Sequence, residues 1–151
     1  MIVTTRGDIL QSTAQTLVCP VNTEGAMGKG LAEQFKHRYP KMYEAYKKAC
    51  RRYYFTRFRN YVYSVSEERK ILCLPTKMHW RYPSKIEWVE TALRDVARLY
   101  ELYGITDMAI PAVGCGEGNL AWEEVKPLIY KYLDPLPIKV YLYLPDYDQS
   151  Q

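Results

Sequence analysis

The chain has 151 residues and a mass of 17.7 kDa, with 48% hydrophobic and 25% charged residues. That is enough for one core and short of two comfortable ones, and it excludes a disordered or collagen-like polypeptide. The net charge of +4 is unevenly spread: the stretch from Lys36 to Arg59 holds nine basic residues against Glu44 alone, a local +8 that leaves −4 for the remainder.

Along the chain, short apolar runs alternate with longer amphipathic ones, the pattern of an α/β domain. Strands are expected over residues 2–5, 16–21, 61–65, 70–74, 108–111 and 138–143. A helical stretch over 31–52 is interrupted or bent at Pro40. A second helix spans 84–103, with Ser84 and Glu87 as a capping box, Gly104 as C-terminal cap, and Ile86, Val89, Leu93, Val96, Tyr100 and Tyr103 as a core-facing stripe. A third follows Leu120, where Pro127 is expected to begin a fresh turn and 121–125 to form a separate short one. The domain is expected to cover 1–145, with a polar tail at 146–151 that frays. No apolar run approaches the ~20 residues that span a bilayer, and the N-terminus lacks a signal-peptide pattern. A soluble, cytoplasmic protein without membrane contact is expected. Cys19, Cys50, Cys73 and Cys115 contain no C-x-x-C pair and only His37 and His79 accompany them, so neither a structural metal nor a disulfide framework is expected.

The basic segment is interleaved with Tyr39, Tyr43, Tyr46, Tyr53, Tyr54, Phe55 and Phe58. Two readings stand: a nucleic-acid surface in which cations neutralise phosphates while rings stack on unpaired bases, or a solvated helix whose tyrosines pack inward. Six of the eight glycines fall in two clusters, Gly25, Gly28 and Gly30 after one expected strand and Gly114, Gly116 and Gly118 after another. Strand-to-helix loops at the carboxyl ends of strands are where α/β proteins bind phosphates, and two such loops suit a diphosphate. There is no G-x-x-x-x-G-K-[ST] motif, and Asn119 stands where a G-x-G-x-x-G fingerprint needs its third glycine. Asp8 and Asn22 border these loops, each with two readings, a ligand contact or a turn or cap residue. Lys77 is placed on a loop directly after the strand 70–74, where a purely structural lysine has little to do.

Four stretches together resemble a macrodomain: Gly7-Asp8-Ile9-Leu10, the run from Val21 to Ala32, Leu74-Pro-Thr-Lys77-Met-His-Trp80, and the run from Ile110 to Trp122. More narrowly it resembles the DarG antitoxin type and the related terminal ADP-ribose glycohydrolases. It implies a three-layer α/β/α fold with a mixed central sheet, an ADP-ribose cleft at the crest, and hydrolysis of ADP-ribose from a thymidine-type base in single-stranded DNA modified by a DarT-like toxin partner. Carried over by position, Asp8 and Ile9 would hold the adenine and Asn22 the distal ribose. Gly25, Met27, Gly28 and Gly30, with Val113, Gly114, Cys115, Gly116, Glu117, Gly118 and Asn119, would wrap the diphosphate and distal ribose, Tyr143 would pack near the adenine, and Lys77 would be catalytic with Asn22 positioning the ribose. His79, Trp80, Arg81, Arg51 and Arg52 are the candidate DNA contacts. No cofactor is implied, and the domain is expected to act as a monomer.

Two departures from that pattern stand out. The terminal glycohydrolases carry an aspartate where this chain has Gly118, so a paired lysine and acid is not expected here. DarG proteins also continue into a toxin-contacting region that would lie beyond Gln151, so an excised domain and a free-standing enzyme both remain open. Cleaving an N-glycosidic bond builds oxocarbenium character at the anomeric carbon and negative charge on the departing base. A lysine can protonate or stabilise that leaving group, or attack as an amine if burial depresses its pKa. The alternatives are a non-catalytic ADP-ribose-binding module, an ADP-ribose 1''-phosphate phosphatase and a protein ADP-ribose hydrolase.

Overall fold

The computed structural model describes residues 1–52, 55, 59–79 and 81–150. Six strands, β1 (Ile2–Thr5), β2 (Thr16–Asn22), β3 (Tyr61–Ser64), β4 (Lys70–Lys77), β5 (Asp107–Ile110) and β6 (Lys139–Tyr143), form one sheet in the order β1-β6-β5-β2-β4-β3. Every pairing is parallel except β3 with β4, so the sheet is mixed, as expected. The helices α1 (Gly30–Arg38), α2 (Pro40–Arg51), α3 (Ile86–Leu99) and α4 (Trp122–Leu133) cover its faces.

Side-chain alternation explains the layering. Leu17, Cys19, Val21, Ile71, Cys73 and Ala109 point to the face holding Phe35, Met42 and Tyr46 of α1 and α2. Val18, Leu72, Leu74, Met108, Ile110, Val140 and Leu142 point to the face holding Val89, Leu93, Val125 and Ile129 of α3 and α4. A strand buried on both sides must be apolar at successive positions, and β2 and β4 are. Among the described residues, no helix is long and apolar enough to cross a membrane.

Four local expectations are corrected. The chain does not leave β4 at Leu74; the strand continues through Pro75 and Thr76 to Lys77, pairing with β2 as far as Asn22. Pro75 is tolerated because β3 pairs with β4 only as far as Cys73, so one side of β4 carries no ladder there. The Ser84–Glu87 capping box does not form: α3 starts after Lys85, and Ser84 is buried, with its amide donating to the Gly118 carbonyl at 2.9 Å. Gly104, at φ +72°, does end that helical region, where the Ile105 amide reaches back to the Tyr100 carbonyl. Pro127 lies inside a single helix, because the buried stripe Trp122, Val125, Ile129 and Leu133 runs across it on the inner face while Pro127 is exposed. The polar tail, expected to fray, is tied down as far as Ser150. Asp148 accepts from Trp122 Nε1 at 2.5 Å and Lys126 Nζ at 3.0 Å, and Arg6 donates to the carbonyls of Pro145, Asp148 and Ser150.

Candidate active site

The parallel strands all end on one side, and the loops leaving β1, β2, β5 and β6 enclose a cleft of about 1180 Å³. It is lined by Asp8 and Ile9, by Asn22 and the run from Ala26 to Ala32, by Lys77 and Arg81, by Gly114 to Asn119, and by Tyr143 to Tyr147.

Asn22 organises the first loop. Its Oδ1 accepts the amides of Glu24, Gly25 and Ala26 at 3.0, 3.1 and 3.3 Å, and its Nδ2 donates to the Ala26 carbonyl at 2.9 Å. Below it the buried Tyr46 hydroxyl donates to Asn22 Oδ1 at 2.8 Å and lies 2.7 Å from the Asn22 carbonyl. This shell holds the turn in which Gly25 takes φ +102°. The loop then enters α1, whose N-cap, Lys29, has no side-chain cap, so the first amides of the helix open onto the cleft, as at helix termini that bind anions.

The glycines divide by what a side chain would meet. A Cβ on Gly118 would collide with Ser84 Oγ and lie 2.5 Å from the Gly114 carbonyl oxygen, and one on Gly114 would lie 2.8 Å from Leu120 Cδ1 at φ +78°. Those two are required by packing. A Cβ on Gly28 or Gly116 would meet nothing within 4 Å, and neither residue has positive φ. No protein atom requires glycine there; the space it keeps open is the cleft itself. The amides of Gly116, Glu117 and Gly118 have no hydrogen-bond acceptor among the described residues, which leaves a row of donors on the second loop.

Lys77 ends β4 on the cleft floor, 8% exposed, with Nζ 3.5 Å from the Glu117 carbonyl oxygen. Burial lowers its pKa from the usual lysine value; the Glu117 carboxylate acts the other way, and the Lys29 ammonium adds to the lowering. Asp8 caps the turn at Ile9–Gln11, its Oδ1 accepting the Leu10 amide at 3.0 Å, so the cap reading holds, and the residue also lines the cleft. Cys115 is half-buried, packs against the α3/α4 core beside the cleft, and burial lifts its thiol to about 11, away from a reactive thiolate.

Several expected contacts lie elsewhere. Val113 is fully buried in the α3/α4 core, and Gly25 packs against Lys47 and Cys50 of α2; neither lines the cleft. His79 stands at the rim, its Nε2 3.0 Å from Glu24 Oε2 and its Nδ1 accepting the Arg81 amide at 3.0 Å. Arg51 and Arg52 are exposed at the end of α2, outside the cleft. Trp80, Tyr53, Tyr54, Arg57 and Phe58 lie outside the described residues. The aromatic half of the basic segment otherwise favours packing: Tyr46 and Phe55 are core, and the Tyr43 ring carries the Lys36 and Lys47 ammonium groups, each 4.7 Å from its centroid. Sequence reasoning missed Tyr46, Ser84 and Lys29. Only Lys29, between Gly28 and Gly30 at the start of a helix, left a signal in the sequence.

A mixed six-stranded sheet between two helical layers, with two glycine loops facing one large cleft, is the arrangement of a macrodomain. Residues 18–129 match the Macro domain family, and the chain belongs to it. The chain is 43% identical over 145 residues to a Thermus aquaticus protein named DNA ADP-ribosyl glycohydrolase, covering 93% of this chain and 40% of that protein. The macrodomain of Mycobacterium tuberculosis DarG superposes with a TM-score of 0.91 at 38% identity, covering 97% of this chain and 99% of that one. Thermosipho africanus DarTG in complex with ADP-ribose superposes with a TM-score of 0.90 at 36% identity, covering 99% of this chain and 43% of that one. The chain thus spans about two fifths of the length of the curated DNA ADP-ribosyl glycohydrolases it matches.

Proposed function

We propose that this macrodomain is a DNA ADP-ribosyl glycohydrolase that binds ADP-ribose in the cleft and hydrolyses its bond to a thymidine-type base in single-stranded DNA. The observation that carries the reading is Lys77: an ammonium 8% exposed, on the floor of a cleft between two glycine loops, with its pKa lowered by burial. Desolvating an ammonium in a cleft costs free energy, and such perturbed groups cluster at functional sites. The names of the relatives, DNA ADP-ribosyl glycohydrolase among them, support the same activity.

In this scheme Asp8 receives the adenine amino group and the Ile9 backbone lies beside it, with Tyr143 packing nearby. The α1 N-terminus and the free amides of Gly116 to Gly118 take the diphosphate, and Asn22 positions the distal ribose by fixing the loop around it. As the glycosidic bond breaks, the Lys77 ammonium gives a proton to the departing base nitrogen. Water adds to the anomeric carbon, and its proton restores the ammonium. Burial makes that proton easier to give, while Glu117 keeps the charged form populated. Amine attack by Lys77 is the second reading; it needs the free amine, which burial favours and the Glu117 carboxylate opposes.

The partner in this scheme is a DNA ADP-ribosyl transferase whose modification the domain reverses, a pairing suggested by the transferase–glycohydrolase fusion protein of Thermosipho africanus. The test is to present ADP-ribosylated single-stranded DNA, ADP-ribosylated protein and ADP-ribose 1''-phosphate side by side. Release of ADP-ribose from the DNA alone is expected. Release only from protein, or phosphate only from the third substrate, would replace the proposal.

A further inference from the structure

We propose that Tyr82 and Arg81 form a platform on which the base and phosphate next to the modified nucleotide dock; this rests on the reading of single-stranded DNA as substrate. Directly after Lys77 the chain turns through residues that the fold leaves at the surface: Met78 is 57% exposed and Tyr82 65%. Both are large and apolar, and neither contributes to either core.

The segment that carries them is anchored. The Thr23 amide donates to the Lys77 carbonyl at 3.0 Å, and Thr23 Oγ1 donates to the Met78 carbonyl at 3.0 Å. The Tyr82 amide returns to the His79 carbonyl at 3.2 Å. The imidazole of His79 is fixed through both nitrogens, by Glu24 on one side and the Arg81 amide on the other. Tyr82 rests on that imidazole, with centroids 5.3 Å apart and planes tilted by 52°. An exposed ring is thus backed by a locked one, beside a guanidinium that lines the cleft mouth and close in sequence to Lys77.

A preordered aromatic face with an adjacent cation is the arrangement that takes an unpaired base and its phosphate, because every base presents a π-face and the phosphate is anionic. A peptide substrate offers no regular partner for both groups at once.

The experiment compares wild type, Tyr82→Ala and Tyr82→Trp on an ADP-ribosylated oligonucleotide with ordinary neighbouring bases and on one whose neighbours are abasic. Tyr82→Ala is expected to lower kcat/KM on the first by about 5- to 150-fold, the range for one stacked base, and to leave the second unchanged. Tyr82→Trp should restore the loss. Equal loss on both substrates, or loss on neither, would overturn the platform. Binding of an unmodified oligonucleotide of the same length separates this inference from the proposed activity, since it needs no hydrolysis. If wild type released no ADP-ribose but bound that oligonucleotide several-fold more tightly than Tyr82→Ala, the activity would fall and the platform would stand. Equal binding by the two proteins would overturn the platform.

Discussion

Gly116 and Gly118 are two residues apart in the same loop, and replacing each with alanine should have opposite consequences. At Gly118 the new methyl would meet Ser84 Oγ and the Gly114 carbonyl oxygen, the latter at 2.5 Å. The Ser84 hydroxyl can rotate, but the carbonyl belongs to backbone that is itself fixed by the Leu120 amide at 2.9 Å, so the loop must shift. Overpacking of this kind costs roughly 1–3 kcal/mol, which lowers Tm by about 2–12 °C for a domain of this size. At Gly116 the methyl would meet no protein atom and φ needs no glycine, so Tm should stay level or rise slightly. That methyl instead occupies space proposed for the ligand, so Gly116→Ala should weaken ADP-ribose binding about ten-fold or more while folding normally. Calorimetric Tm and titration of ADP-ribose read both effects. A Gly118→Ala protein with wild-type Tm, or a Gly116→Ala protein with wild-type affinity, would refute the division between glycines required by packing and glycines required by ligand.

Three further outcomes follow from named contacts. Tyr46→Phe removes the hydroxyl that braces Asn22 and should cost about 0.5–1.5 kcal/mol in urea unfolding, together with a measurable loss of ADP-ribose affinity as the first loop loosens. Lys77→Met should raise Tm at pH 7: a lysine whose folded pKa is lowered binds fewer protons when folded, so it destabilises the protein below that pKa, and the gain should fade as the pH rises through the ordinary lysine value of 10.5. Asp148 works in the other direction. Hydrogen bonds from Ser150, Trp122 and Lys126 hold its carboxyl well below the usual carboxylate range. Its stabilisation is therefore present above about pH 4 and is lost as acid titrates it toward that depressed value. Asp148→Asn should lower Tm at pH 7 and differ less from wild type below pH 3.

The layered architecture was legible because burial on both faces writes itself into β2 and β4 as unbroken apolar runs. The paired glycine loops were legible because a cluster of three glycines follows each of two strands. Local capping was less so. Ser84 looked like a helix cap in a four-residue pattern, yet its partner is Gly118, a residue 34 positions away that no local rule could supply. Pro127 looked like a break, but the stripe from Trp122 to Leu133 outweighed it. Lys77 stands out in the sequence as a lysine on a loop after an apolar strand, whereas the strand itself continues and carries it to a buried floor. Tyr46 fits the inward-packing reading of the basic segment rather than the base-stacking one, but its contact with Asn22 crosses from helix to sheet and leaves no periodic trace.

Loss of the Lys77 ammonium should abolish cleavage of the glycosidic bond. The direct measurement is a time course of ADP-ribose release from ADP-ribosylated single-stranded DNA by wild type and by Lys77→Ala, run alongside ADP-ribose affinity for both proteins. Release by wild type, its loss in the variant and near-equal affinities are the predicted result. Comparable turnover by Lys77→Ala would contradict the account.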